Sequence, residues 1–303
     1  MALVQSYDFL PSGESESSPV FEEALAKDCR QLCGQSLRQA SRFASLAAVG
    51  ALSCAKRAQL PCTSGLYLAT GLGDLNSAAR LFAQTRLGVG LSPYDFINVN
   101  NNTAAYYIAR IGGFTGPNLT ISQGAFSFEW ALYLAQAAMV QGLTHALVGG
   151  VDERAPSRVE LVRRVRAHAQ KRPGEGSGWL ALTTERRHAE GVLLGLYWLG
   201  PGLPEACPRL KQLLNDAAAS QSLHVMLGAG APKDGLGAIL DTSQVARIWS
   251  YHDVCGDYPT AQAAGLALGV AWASSAPGVW VHISGNGCGA FAVIVWESCA
   301  PVG

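Results

Sequence analysis

The sequence lacks an excess of charge of either sign: 22 Lys and Arg stand against 22 Asp and Glu. A field of one sign draws proteins onto nucleic acid or an anionic membrane surface, so neither is expected as a partner. It also lacks an unbroken apolar run of about 20 residues, the length a bilayer-spanning helix needs; Gly, Pro or a charge interrupts each one. The first residues, MALVQSYDFLPSGESESS, carry acids and serines where a secretory leader has basic residues and an apolar stretch. The expected location is the cytoplasm. Among the eight cysteines, Cys29 and Cys33 lie four apart on a helical pattern, but no second pair follows at zinc-site spacing. They read as small buried hydrophobes, and no metal or other cofactor is expected. One further absence matters below: no cysteine occurs between Cys62 and Cys207.

What is present is an apolar chain, 49% hydrophobic and 15% charged, of a length that suits one large domain or two small ones. SGESESSP, residues 12–19, reads as a surface loop, and residues 21–57 as Ala- and Leu-rich helices. SGLYLATGLGDL is a strand closed by glycines, the chain from Phe96 to Ile111 is amphipathic at helical spacing, and GFTGPN breaks it. NLTIS is a β-branched strand, Phe126 to Gln141 a long apolar helix, and HALVGGVDE a strand leaving through two glycines. The pattern then restarts with SGWLALTT, PRLKQLLNDAAAS, SLHVMLGAGAP and TAQAAGLALGVAWASS, and ends in the hairpin GVWVHISGNGCGAFAVIVWE. Two similar halves of alternating strands and helices predict α/β layers, divided at 1–165 and 166–303 within one compact unit. The two small-residue helices, Phe126–Gln141 and Thr260–Ser274, have the composition of helices buried on all sides between sheets. The one basic cluster, residues 152–176, reads as a solvated helix face, with docking of an acidic partner as the alternative.

The stretch GPNLTISQGAFSFEWALYLAQAAMVQGL, residues 116–143, runs a strand into a helix through a tight turn, Ser122 to Phe126. Enzymes use such turns to present a nucleophile, yet the residue at the apex is Ala125.

These pieces, above all SPYDFINVNNNTAAYYIARIGGFTGPN, the helix after it, HALVGGVDE and GNGCGAFAVIVWE, resemble the thiolase-fold ketosynthases over about residues 40 to 300. The resemblance implies an αβαβα five-layer sandwich of two related halves, working as a dimer on acyl chains held by an acyl carrier protein. The family's chemistry uses a cysteine at the strand–helix turn, activated by the helix N-terminus, and two histidines that stabilise an enolate and an oxyanion. Carried over without a gap, the cysteine position is Ala125; with a slip of two it is Gln123. The first histidine position is Leu227, in LGAGAP, and the second Asp257, in CGDYPTAQAAGL. A carboxylate at the second position would repel an enolate. The gating phenylalanine of the family falls at Gly287.

The scaffold glycines Gly112, Gly113, Gly116, Gly149 and Gly150, with Pro117, are kept while all the catalytic positions are changed. Within the family this pattern resembles the chain-length factors of type II polyketide and aryl polyene-type synthases. Those are non-catalytic subunits that pair with an active ketosynthase and set the depth of the acyl tunnel. Phe96, Val99, Thr103 and Tyr107 fall on one face of a single helix by periodicity. With Ala125, Phe126 and Phe128 they are the expected tunnel or interface residues, ordinary core being the alternative. Asn100, Asn101 and Asn102 are candidates for hydrogen bonds across the interface, or for helix-surface solvation. Two other functions stand beside this one. One is a decarboxylase or acyltransferase working without cysteine, with Ser122 or Ser127 as acceptor and His145, His224, His252 or His282 as base. The other is a non-enzymatic homodimer that binds acyl chains.

Overall fold

The computed structural model describes residues 3–11, 19–33, 37, 39–154, 174–185, 189–200, 208–228, 230–231 and 245–299. The loop at 12–18, most of the basic cluster (155–173), Cys207, Ala229, Pro232 and the division at 165/166 lie outside the described residues.

Ten strands are laid in the order β3-β2-β4-β5-β1-β6-β10-β9-β7-β8. They are β1 Leu3–Pro11, β2 Gly65–Ala69, β3 Asn118–Ile121, β4 His145–Asp152, β5 Gly176–Thr183, β6 Gly191–Leu199, β7 Leu223–Leu227, β8 Val245–Ser250, β9 Val279–Gly285 and β10 Phe291–Ser298. β1 and β6 join through two residue pairs alone, Leu3–Val192 and Val4–Gly191, so the sheet divides there into two five-stranded halves. In the first, β3, β2 and β4 are parallel and β5 runs antiparallel between β4 and β1. In the second, β8, β7 and β9 are parallel and β10 runs antiparallel between β9 and β6. The two halves repeat one topology. SGWLALTT, expected to start the second half, is β5 and completes the first; the repeat begins at β6.

Nine helices connect them among the described residues: α1 Pro19–Cys33, α2 Arg42–Ala58, α3 Leu75–Leu87, α4 Pro93–Asn98, α5 Thr103–Gly112, α6 Ser127–Val140, α7 Pro208–Ser220, α8 His252–Cys255 and α9 Ala261–Ala273. α1, α2 and α5 cover the outer face of the first half-sheet, through Leu46, Val49, Ile108, Leu147 and Trp179. α7 covers the outer face of the second with Leu210 and Leu214 against Val225, Val281 and Val293. Between the half-sheets lie α6 and α9, sharing one core with Tyr67, Val148, Leu180, Met226, Trp280 and Ile294. These are the five layers of an αβαβα sandwich. Close packing of α9 needs small residues: a Cβ on Gly178 of β5 would stand 2.3 Å from the backbone nitrogen of Ala264.

The predicted single helix from Phe96 to Ile111 is two helices. Its side chains compete for the carbonyls that would have continued it. Asn100 Nδ2 donates to the carbonyls of Phe96 and Ile97, and the Thr103 hydroxyl donates to that of Ile97 at 2.8 Å. The chain turns at 99–102 and α5 restarts at Thr103.

Candidate functional site

The turn between β3 and α6 has the form read from the sequence. A single 3-10 turn, Gly124–Phe126, delivers the chain into α6, and Gly124 takes φ +62°, the left-handed conformation that glycine adopts most readily. Ala125 is its middle residue and half-buried; Gln123 precedes the turn and is exposed. The turn is held from both sides. Ser127 Oγ donates to the Gly124 carbonyl at 2.9 Å and accepts the Gln123 N–H at 2.8 Å. Gln262, on the first turn of α9, donates from Nε2 to the Ala125 carbonyl at 3.3 Å.

The start of α9 is fixed in turn by Asp152 at the end of β4. Its buried carboxylate accepts from the Thr260 N–H and hydroxyl, the Thr70 hydroxyl and the N–H groups of Gly71 and Leu72, all at 2.8 to 3.0 Å. Burial holds this carboxyl above the usual range against the pull of those donors. One acid thereby ties the ends of β2 and β4 to the second central helix. In the sequence, HALVGGVDE draws the eye to its glycines, and nothing local there marks the aspartate for this role.

Leu227 ends β7, and the next N–H, Gly228, donates to Ile283 of β9 at 2.8 Å. The following loop crosses β9 so closely that a Cβ on Gly230 would lie 2.5 Å from the Gly285 carbonyl oxygen. Gly287 stands just beyond with φ +75° and open space around it. Asp257 is half-buried between α8 and α9. At these positions the side chains are thus a methyl, an isobutyl, a carboxylate and a hydrogen.

The four histidines weighed from the sequence lie on β4, β7, α8 and β9. His145 opens β4 with Nδ1 3.0 Å from Thr144 Oγ1. His224 stacks on Trp280 with ring centres 4.7 Å apart, and burial lowers its pKa. His252 opens α8 with Nδ1 3.3 Å from the Gly256 carbonyl. His282 is fully buried on β9, shares a 2.9 Å hydrogen bond with Tyr251 Oη, and is pushed down to about 3 by burial and by nearby His252. It is neutral at physiological pH. Of the two serines, Ser122 is exposed and Ser127 is buried and committed to the turn. Among the described residues no cluster of His, Cys, Asp and Glu could hold a metal ion, and no helix is long and apolar enough to cross a membrane.

The expected tunnel residues are not brought to one face. Phe96 lies on α4 with 64% of its surface exposed, Val99 caps that helix, and Thr103 starts α5 with its hydroxyl turned to Ile97. Tyr107 packs on the outer core with α2 and the first half-sheet. Phe128 is buried in the central core, and Phe126 stands edge-on to Trp198, 5.5 Å away. Periodicity misleads here because it presumes one unbroken helix. Asn100, Asn101 and Asn102 are exposed, and Asn100 caps α4.

Two features of the central layer escape the sequence reading. α9 is buried nearly all round, as expected, but its counterpart α6 is not. Phe126, Trp130, Tyr133, Ala137 and Val140, spaced four, three, four and three apart, form an open apolar stripe; Tyr133 is 46% and Val140 85% exposed. Trp198 of β6 stacks on Trp130 with ring centres 4.9 Å apart. Beside the stripe runs β3, which pairs with β2 on one side and with no strand on the other among the described residues, with Leu119 exposed. The second feature is Glu129, the one charged residue of α6. It is fully buried and accepts a hydrogen bond from the Ser284 hydroxyl of β9. Its lone charge in an apolar helix was the available signal.

No protein-family model and no curated protein sequence matches the chain. Solved structures do. The ishigamide ketosynthase/chain length factor superposes with a TM-score of 0.77 at 17% identity, over 99% of this chain and 99% of that one. A β-ketoacyl synthase from Burkholderia phymatum STM815 gives 0.70 at 14% identity, again over 99% of both. A type II polyketide synthase acyl carrier protein in complex with its ketosynthase gives 0.68 at 14%, over 98% and 99%. The chain therefore has the thiolase-like fold of the ketosynthases, from its first sheet to its last.

Proposed function

We propose that this chain is a non-catalytic, ketosynthase-like subunit that pairs with an active ketosynthase and shapes its acyl tunnel during chain elongation on an acyl carrier protein, the role of a chain-length factor. The observation that carries the reading is the turn at Ala125. It is built, glycine-shaped and hydrogen-bonded from both halves of the fold, and its apex is a methyl group with neither lone pair nor proton to give. In units where several groups act together, loss of one key member costs on the order of a million-fold in rate; here the cysteine and both histidine positions are replaced.

The open face of α6 supports the pairing. Two topologically equivalent helices occupy the central layer, and the one beside β3, whose outer edge pairs with no strand among the described residues, keeps an apolar stripe open at Tyr133 and Val140. Apolar surface of this kind beside a free strand edge is what a partner covers. A second thiolase-fold subunit offers the same edge and the same helix, so the contact closes as a pair. Similar structures include a protein described as a ketosynthase/chain length factor.

The test is to purify the chain alone and incubate it with malonyl- and acyl-carrier proteins. The reading predicts no self-acylation by intact mass, no decarboxylation and no condensation. Acylation of Ser122 or turnover of malonyl-carrier protein by the chain alone would overturn it in favour of a cysteine-independent enzyme.

A further inference from the structure

Glu129 and Ser284 sit at the seam between the halves. Glu129 lies on α6, one helical turn beyond Ala125, and α6 packs on β2 and β4 of the first half-sheet. Ser284 lies on β9 of the second. Along β9 the side chains alternate, so Trp280, His282 and Ser284 face the central layer while Val281 and Ile283 face α7. Both partners are fully buried. One carboxyl oxygen, Oε1, accepts a hydrogen bond from the Ser284 hydroxyl; the other, Oε2, has no hydrogen-bond partner. A bare carboxylate oxygen in such a place is costly, and a protonated one far less so.

The titratable base in this cluster is His252, whose ring centre lies 4.5 Å from that of Tyr251 and which lowers the His282 pKa. From β9 the nearest ionisable group is His282, bonded to Tyr251 and neutral at physiological pH. Tyr251, just before α8, is fully buried, which raises its phenol, and nearby Cys255 and Glu129 add to the rise. Beyond it stand Cys255 and Asp257, which add acidity and no positive charge. From β2 the core contributes Tyr67, a phenol raised by burial, and from α9 the uncharged Gln262. Among the described residues no Lys or Arg pairs with Glu129.

We propose that Glu129 is a proton-dependent latch between the two halves: as the neutral acid it stays buried between α6 and β9, and its ionisation, which Ser284 meets at one oxygen and nothing meets at the other, draws it toward water and loosens that seam and the turn above it. The latch belongs to the chain alone and does not rest on the pairing proposed above. Burial pushes this carboxyl from its ordinary 4.5 up to about 7, which puts the change within the physiological range. Because the folded chain holds the proton more tightly than the unfolded one, stability is full below about 4.5 and falls as pH rises to about 7, then levels.

The experiment is hydrogen exchange of the α6 and β9 amides by mass spectrometry across this range, corrected for intrinsic rates, on wild type, Glu129→Gln and Ser284→Ala. Wild type is expected to lose protection in α6 as pH rises from about 4.5 to about 7 and then to level, Glu129→Gln to keep it, and Ser284→Ala, without the donor that favours the carboxylate, to lose it at higher pH than wild type. The melting temperature of Glu129→Gln relative to wild type should climb over the same interval. Identical pH profiles for wild type and Glu129→Gln would overturn the latch. Should Glu129→Gln fail to fold, the infrared band of a protonated carboxyl decides, read in a Glu153→Gln background because Glu153 is also held at about 7. A band that persists at about pH 6, where ordinary carboxyls are ionised, and is lost above about 7 supports the proposal; its absence at about pH 6 refutes it.

Discussion

Gln262 reaches from the second central helix to the carbonyl of Ala125, 137 residues earlier in the chain, and closes the turn with a 3.3 Å hydrogen bond. The turn is thus held in shape by a residue of the other half, although its apex, Ala125, carries no nucleophile. Installing a thiol tests whether shape suffices. Ala125→Cys should fold, and peptide-resolved alkylation should label the introduced thiol readily, since a thiol at a helix N-terminus is activated. Condensation should stay absent, because Leu227 and Asp257 supply no imidazole. Elongation by the single variant would contradict the assigned losses.

Ser127 is a clamp on this account, with both its hydrogen bonds spent on Gln123 and Gly124. Ser127→Ala should lower stability by about 1–3 kcal/mol, the cost of leaving buried partners unmet. Denaturant unfolding measures it, and the intact mass after incubation with acyl-carrier protein should show no more acylation than wild type.

Asp152, at the end of β4, gathers donors from two other segments, Thr70 to Leu72 and Thr260, so removing it strands them all. Asp152→Ala should destabilise by on the order of 3–5 kcal/mol, seen as a large drop in melting temperature. A loss under about 1 kcal/mol would mean the three strand and helix ends are held by packing instead.

The stripe on α6 predicts surface changes without core effects. Tyr133→Asp and Val140→Asp should leave the melting temperature of the isolated chain nearly unchanged, as surface substitutions do. The same changes should weaken binding to a ketosynthase partner by about tenfold or more. Equal affinity by titration calorimetry would place the partner elsewhere.

Much of this was legible in the sequence because local signals and packing agreed. The small-residue helix α9 is buried as its composition implied, the hairpin β9–β10 pairs as its two apolar runs implied, and the turn at Gly124–Phe126 sits where strand met helix. The failures have physical causes. Apolar spacing from Phe96 to Tyr107 looked continuous, but Asn100 and Thr103 capture the carbonyls of α4 and break it. α6 is largely apolar, and composition alone cannot tell a helix buried within one chain from one left open on a side. Nor does spacing reveal that SGWLALTT pairs back with β4 and β1, because strand order is decided by contacts distant in sequence.

The central claim is a pairing, and co-expression tests it most directly. The chain would be produced with a ketosynthase that has an intact cysteine, purified through a tag on this chain, and the complex weighed by native mass spectrometry. The expected result is a one-to-one heterodimer that elongates malonyl-carrier protein while the chain alone does not. A homodimer of this chain that persists beside the ketosynthase, with no mixed species, would contradict it.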